Sequence, residues 1–309
     1  MFVYPRQLVL KTCGTTTILM AVPEILKIAA SVGLHVDDVF YNRQNFFFPD
    51  KQLHPHRSFQ DEVKALDNYF RNGSAYIVGK INGNHWNFYN AEKKQNISEI
   101  NKEEDVTFEI LMTGLDSELM VPFYHDGKTT SAAKSTQKSG ISELFPGAKV
   151  DDYVFEPYGY SMNGLLGSGY FTIHVTPQEN CSFASFETNI ILKDYTALAA
   201  KVLDCFRPKR FILTLMGNRA SMQNLQKGDD DDGDDLLQAA KGDNAKPGLA
   251  VDSLCDRGFQ AEDDILLKFE HYDLIFLQFR PKSTGKIKQP SSMEHDNAAA
   301  KGSPETSVR

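Results

Sequence analysis

The spacing of apolar residues changes along the chain and separates helical stretches from strands. Apolar side chains that recur every three to four residues predict helices over 15–32, 58–70 and 194–206. Ser58 precedes two acidic residues, an arrangement typical of a helix N-terminus. In the first of these helices we expect Thr15 or Thr16 to cap the N-terminus and Pro23 to bend the axis.

Alternating apolar and polar residues, rich in β-branched and aromatic types, predict strands through most of the remaining chain. An Asn82-Gly83 pair between two such runs is a hairpin signal. The predicted strands cover 7–12, 74–81, 85–91, 106–113, 151–156, 169–176, 182–188 and 209–216, with a closing hairpin over 259–279. Many antiparallel strands with few helices predict an α+β domain whose helices cover the faces of the sheets.

Two segments lack the apolar side chains that a core requires. Residues 219–255 contain a dense run of acids with glycine and proline, and residues 283–309 are poor in large apolar side chains. We therefore expect one domain over 1–282, with an acidic loop insertion at 219–255, followed by a disordered tail at 283–309.

Composition narrows the kind of partner. The 309 residues carry a formal net charge of -8, which argues against a nucleic acid or an anionic membrane surface. The N-terminal apolar run is interrupted by Pro23 and two charged residues, so it is too short to span a membrane and poor as a secretion signal. The cysteines are widely spaced, and neither a disulfide scaffold nor a zinc site is indicated; they are Cys13, Cys181, Cys205 and Cys255. We expect a cytoplasmic protein without a bound metal.

A serine and a histidine are the first candidates for chemistry. Alternation over 169–176 places His174 on the more polar face of its strand. Ser161 lies in a loop-like stretch and would oppose His174 if the intervening glycines turn a hairpin, so that the two side chains could exchange a proton. The chain has no G-x-S-x-G motif and no obvious orienting aspartate, which argues against a hydrolase triad. A purely structural histidine is the open alternative.

A stripe of acids is the second candidate. Asp105, Thr107 and Glu109 share one face of a predicted strand whose other face is apolar. That face either meets solvent or lines a polar interior that binds a cation, and the pattern leaves both open. In a buried setting two carboxylates need a positive partner.

Seven ordered stretches, spread over the chain, agree on one family. They are LVLKTCGTT, YNRQNFFFP, HPHRSFQDE, TFEILMTGLD, GYSMNG, YFTIHVTP and FASFETN. Together they resemble eukaryotic S-adenosylmethionine decarboxylase, from the first residues to about 216 and again near 259–280. The resemblance implies a four-layer αββα sandwich, in which two antiparallel sheets face each other with helices outside, here incomplete at the N-terminus. It also implies a pyruvoyl-dependent enzyme that decarboxylates S-adenosylmethionine to the aminopropyl donor for spermidine and spermine synthesis.

The resemblance assigns roles to individual residues. By this similarity Cys13 is the proton donor to the substrate, Ser161 and His174 act in the self-processing that creates the pyruvoyl group, and Phe155 stacks on adenine. The acids that match a putrescine-binding cluster are Asp105, Thr107, Glu109 and Glu187.

Two positions depart from the family pattern. Gln178 stands where a glutamate usually binds the ribose hydroxyls, so a hydrogen-bond acceptor is kept and the charge is lost. Met216 replaces an aromatic residue that lines the putrescine site, which argues against putrescine activation.

The resemblance also implies a missing partner. The small β chain of the family and the serine that becomes the pyruvoyl group precede the position that matches Met1. We therefore expect this chain to be truncated and inactive alone, with the β chain of the same proenzyme as its partner and a homodimer or heterodimer as its assembly. The alternative is a catalytically dead paralogue that binds and regulates an active decarboxylase.

Overall fold

The computed structural model describes residues 1–12, 14–15, 17–92, 104–125, 131–227 and 246–282. The strands are β1 Phe2–Val3, β2 Leu8–Val9, β3 Asp38–Gln44, β4 Gly73–Gly79, β5 His85–Glu92, β6 Val106–Thr113, β7 Lys149–Val154, β8 Tyr160–Leu166, β9 Gly169–Thr176, β10 Phe183–Thr188, β11 Arg210–Asn218, β12 Phe259–Lys268 and β13 Tyr272–Pro281. The helices are α1 Val22–Ser31, α2 Phe59–Asp67, α3 Ser117–Met120, α4 Ala132–Lys138, α5 Thr196–Phe206, α6 Arg219–Lys227 and α7 Val251–Asp256.

Eight of these strands form a large antiparallel sheet with the order β12-β13-β11-β6-β10-β9-β8-β7. A smaller antiparallel sheet has the order β3-β5-β4, and β1 pairs with β2 in a short hairpin. Strands β12 and β7 therefore form the two edges of the large sheet.

Three clusters of buried apolar side chains define the layers. The largest packs one face of the eight-stranded sheet against α5, α7 and neighbouring helical turns, with Phe206 and Leu254 fully buried. A second cluster, around Trp86 and Phe276, lies between the two sheets. The third packs the other face of the small sheet against α2, through Tyr89 and Leu66. This arrangement confirms the α+β sandwich of facing sheets with helices outside.

Helix boundaries follow local chemistry. The predicted cap at Ser58 is confirmed, because its hydroxyl accepts a hydrogen bond from the Asp61 backbone N–H at 3.1 Å. Pro23 lies in the first turn of α1, directly after a 3₁₀ turn over Ile18–Ala21, where a missing N–H leaves no helical bond unmade. No threonine side chain caps this helix in the described residues, and Thr16 lies outside them.

The stretch around Ser161, interpreted as a loop, is strand β8. Its glycine at 164 is required by packing rather than by a turn. A Cβ at that position would lie 2.1 Å from the ring of Phe171 on β9. A larger residue there would therefore require the buried Phe171 ring to move.

The acidic insertion is shorter than predicted. Both of its ends are helical and reach the core, since Met222 in α6 is 3% exposed and Leu254 in α7 is fully buried. The acidic run itself, at 228–245, and the predicted tail at 283–309 lie outside the described residues. No helix among the residues described has the length and apolar character needed to cross a membrane.

Candidate active site

Ser161 and His174 face each other across adjacent strands of the large sheet. The register pairs Ser161 of β8 with His174 of β9, and His174 with Ser185 of β10. On the outer side of this row, Tyr153 of edge strand β7 pairs with Ser161. Directly paired residues of antiparallel strands share a face and lie about 5 Å apart at Cβ. The hairpin expected from the sequence therefore brings the serine and histidine together.

His174 is buried and uncharged at neutral pH. The residue is 8% exposed, and its Nδ1 has no hydrogen-bond partner among the described residues. Burial lowers the pKa of His174 to about 4, and the nearby ammonium groups of Lys11 and of the chain N-terminus also lower it. A neutral imidazole with a free ring nitrogen can accept a proton from a neighbouring group.

Within the acid stripe Glu109 is buried between the sheets, whereas Asp105 and Thr107 are half-buried. Glu109 is 4% exposed and pairs across the strands with Glu187 of β10, which is 8% exposed. Lys11 lies between the two carboxylates and forms an ion pair with each, at 2.8 Å from its Nζ to Glu187 Oε2. The positive partner that two buried acids require thus comes from the same chain.

The two acids share one lysine, and their pKa values shift in opposite directions. Burial raises the pKa of Glu109 more than Lys11 lowers it, and Glu187 raises it further. Despite burial, Lys11 and the Tyr170 hydroxyl, which donates to Glu187 Oε1 at 2.7 Å, hold the pKa of Glu187 below its ordinary value. Two close carboxylates with one cation behave in this way because they repel each other.

The remaining residues of the predicted diamine cluster lie further along the same face. Tyr272 donates a hydrogen bond from its hydroxyl to Asp105 Oδ2 at 2.8 Å. Thr107 pairs across the sheet with Met216, whose side chain is buried. Asp105, Thr107 and Glu109 therefore form one polar strip that runs from half-buried Asp105 to buried Glu109.

The predicted substrate-binding residues lie just beyond the C-terminal ends of strands β7 and β9. Phe155 follows β7, is 45% exposed, and its ring meets that of Tyr153 edge to face at 4.8 Å. Gln178 follows β9 and donates from Nε2 to the Tyr158 hydroxyl at 2.7 Å, while the Cys181 thiol approaches its Oε1 at 3.8 Å. The Gln178 amide is thus oriented by neighbouring side chains.

The N-terminal hairpin closes one side of this face. Phe2 is 7% exposed and stacks on Tyr170 with ring centroids 4.4 Å apart. Cys13, the predicted proton donor, lies outside the described residues, and its neighbour Gly14 accepts a hydrogen bond from the Gln52 amide at 3.2 Å. No group of three or more His, Cys, Asp or Glu side chains suited to a metal occurs in the described part of the chain. His56 is fully buried, and its Nδ1 lies 2.9 Å from a carboxylate oxygen of buried Glu62.

Comparison with known proteins identifies this arrangement. Residues 1–280 match the family model described as adenosylmethionine decarboxylase. The chain belongs to the adenosylmethionine decarboxylase family. It is similar to the S-adenosylmethionine decarboxylase proenzyme of Dictyostelium discoideum, with 45% identity over 215 residues, which are 70% of this chain and 56% of that protein. The proenzyme of Drosophila melanogaster is 42% identical over 233 residues, covering 72% of this chain and 67% of the relative.

A solved structure of the family has the same fold. The Trypanosoma brucei AdoMetDC-delta26 monomer superposes with a TM-score of 0.66 at 26% identity, covering 91% of this chain and 99% of that one. By sequence, the chain spans between about half and two thirds of the length of the curated decarboxylase relatives, 56% of the first and 67% of the second.

Sequence reasoning missed Lys11 and Tyr170 as parts of this decarboxylase-family site. Lys11 is 98 residues from Glu109 and 176 from Glu187, so no local spacing could join them. The only signal was indirect: a buried acid pair predicts a cation somewhere in the chain. The alternation in β9 could have indicated Tyr170, because it places this tyrosine on the same polar face as His174. The Tyr170 hydroxyl donates a hydrogen bond to Glu187.

Proposed function

We propose that this chain is the larger subunit of an enzyme that decarboxylates S-adenosylmethionine, with a pyruvoyl group as its cofactor and the aminopropyl donor for polyamine synthesis as its product. The observation that carries the proposal is the direct pairing of half-buried Ser161 with buried His174 on the inner face of the sheet. Self-processing rearranges the backbone at a serine and requires the removal of one proton. A serine hydroxyl beside a neutral imidazole suits that step. Family membership over residues 1–280 supports the same reaction.

The residues present fit a pyruvoyl group on the N-terminal side of Met1. The N-terminal ammonium lies close enough to His174 to lower its pKa, and Phe2 is fixed by stacking on Tyr170. In the family pattern, the serine that becomes the pyruvoyl group precedes the position that matches Met1. When bound, the group supplies an electron sink for the carbanion left by loss of CO2.

The side chains of this subunit would divide the remaining work. His174 removes a proton during self-processing, since its lowered pKa keeps the imidazole neutral. Phe155 offers an exposed ring for the adenine, and the Gln178 amide offers a hydrogen-bonding group for the ribose. Cys13 would return a proton to the α-carbon after CO2 leaves. A thiol suits that step because its ordinary pKa lies near neutrality.

Lys11 bears on the response to diamines. It already provides a positive charge between Glu109 and Glu187, and Met216 replaces the aromatic wall expected for a diamine site. We infer that putrescine is not needed to neutralise this acid pair. Activity should therefore show little stimulation by added putrescine.

The proposal is tested on the protein as its cells make it. We expect an intact mass that reveals a separate β chain and a pyruvoyl-blocked N-terminus, together with release of labelled CO2 from carboxyl-labelled S-adenosylmethionine. In the complete reading frame, His174→Ala should block or slow self-cleavage, whereas Thr176→Ala on the same face of β9 should cleave normally. Cys13→Ala should permit cleavage and impair turnover. An unblocked Met1 and no CO2 release would reject the proposal.

A second function is favoured by Gln178. Because this amide lacks the charge of the family glutamate, the chain also suits a role as a dead paralogue that binds and regulates an active decarboxylase. The discriminating experiment mixes the purified chain, which shows no turnover of its own in this case, with an active relative. A change in the turnover of that relative supports regulation, and unchanged turnover rejects it.

A further inference from the structure

Edge strand β7 presents two exposed aromatic rings beside the Ser161–His174 pair. Tyr153 pairs directly with Ser161, which pairs with His174, so the three side chains lie in one row on one face. Tyr153 is 61% exposed and Phe155 is 45% exposed, although both are large and largely apolar. Adjacent exposed rings at a sheet edge are typical of a binding surface.

The two rings form a corner of defined shape. Their centroids are 4.8 Å apart and their planes meet at 67°. Phe155 is held in place, because its backbone N–H donates to the Gly159 carbonyl at 2.9 Å. Its ring also packs against Gly159, where an added Cβ would lie 3.6 Å from Phe155 Cδ2. A planar ligand can therefore stack on one ring while its edge contacts the other.

The rest of the inner face directs a ligand to this corner. At the Tyr170 position the face is covered by the N-terminal hairpin, through the stacked ring of Phe2. On the other side of the row, Ser185 and Leu111 are buried in the interior of the sheet. Among the described residues of this row, Tyr153 is the most exposed, so a ligand that reaches Ser161 from β7 passes its ring.

We propose that Tyr153 is a further substrate-binding residue, which contacts the purine of an adenosyl ligand stacked on Phe155. The inference rests on the proposed function, because it takes the nucleoside part of S-adenosylmethionine as the ligand. A purine suits the corner because it is flat and has an extended π face that can stack on one ring while its edge contacts the other.

The test measures binding and needs no pyruvoyl group. The protein as its cells make it, with any β chain retained, is titrated calorimetrically with 5'-methylthioadenosine and, separately, with 5-methylthioribose, which lacks the base. Tyr153→Ala should weaken nucleoside binding about 3- to 10-fold and leave binding of the base-free sugar unchanged, since stacking on a base is worth roughly this much. Tyr153→Phe should stay within about 2-fold of wild type, because the ring remains.

A matched control is present on the small sheet. Tyr76 meets Phe269 edge to face at 5.2 Å and 63°, and it is 37% exposed, yet it lies away from the Ser161 row. Tyr76→Ala should leave nucleoside binding unchanged. If wild type binds the nucleoside and Tyr153→Ala binds it equally well, or loses the base-free sugar in the same proportion, the role of Tyr153 is overturned. A wild-type protein, tested with any β chain retained, that binds no nucleoside overturns the proposed function along with it.

Discussion

Replacing Lys11 by methionine removes the cation between Glu109 and Glu187 and keeps a side chain of similar length. The lysine side chain is 17% exposed and those of the acids are 6% and 10% exposed, so solvent screens this ion pair only slightly. At an effective dielectric constant of about 20, one such pair at about 4 Å contributes about 4 kcal/mol. Lys11 makes two such attractions, and the desolvation of the lysine and the repulsion between the acids reduce their sum. We therefore expect the Lys11→Met variant to lose about 3–5 kcal/mol in the free energy of unfolding.

The loss should depend on pH with a defined sign. Without Lys11 the pKa of both buried carboxyls rises above its value in the unfolded chain, so the folded variant is penalised while they are ionised. As pH falls, the carboxyls become protonated first in the folded state, and the penalty shrinks. The destabilisation should therefore be largest above neutrality and smaller in mild acid.

Urea unfolding offers a direct assay. The single tryptophan, Trp86, is 2% exposed between the two sheets, and its fluorescence reports on that core. Lys64→Met is the matched control, because Lys64 pairs with Asp61 at the surface with 77% of its side chain exposed, and it should shift the midpoint little. A Lys11→Met midpoint indistinguishable from wild type near pH 7.5, with an unchanged slope, would refute the reasoning.

Three further predictions concern single residues. Because burial lowers the pKa of His174 to about 4 from 6.5, the unfolded chain binds more protons in this interval, and stability should fall by up to about 3 kcal/mol from pH 6.5 to 4; His174→Gln should remove that slope in urea titrations. Ser58→Ala should lower the unfolding free energy by about 1 kcal/mol through loss of the α2 cap, whereas Ser58→Asp should retain it. Burial raises the pKa of the Cys205 thiol to about 12, so a thiol reagent should modify partly exposed Cys181 and Cys255 before Cys205 in the native protein, with the order read by peptide mass; equal rates at Cys181 and Cys205 would contradict this.

Local patterns predicted most of the elements that position the site. Alternation placed His174 on the polar face of β9, and a cap signal placed the start of α2 after Ser58. Strand β8 was interpreted as a loop because glycines, which it contains, are also typical of loops. The reason for the glycine at 164 is the ring of Phe171 on the neighbouring strand, which no local rule contains.

The sequence by itself determined which residues share a face, since side-chain direction in a strand alternates with the backbone. It thus placed Asp105, Thr107 and Glu109 together. Only the tertiary structure decided that this face is buried, because burial depends on how the sheets stack. It also decided that Lys11 neutralises Glu109 and Glu187 from distant positions in the chain, because a charge finds its partner through space.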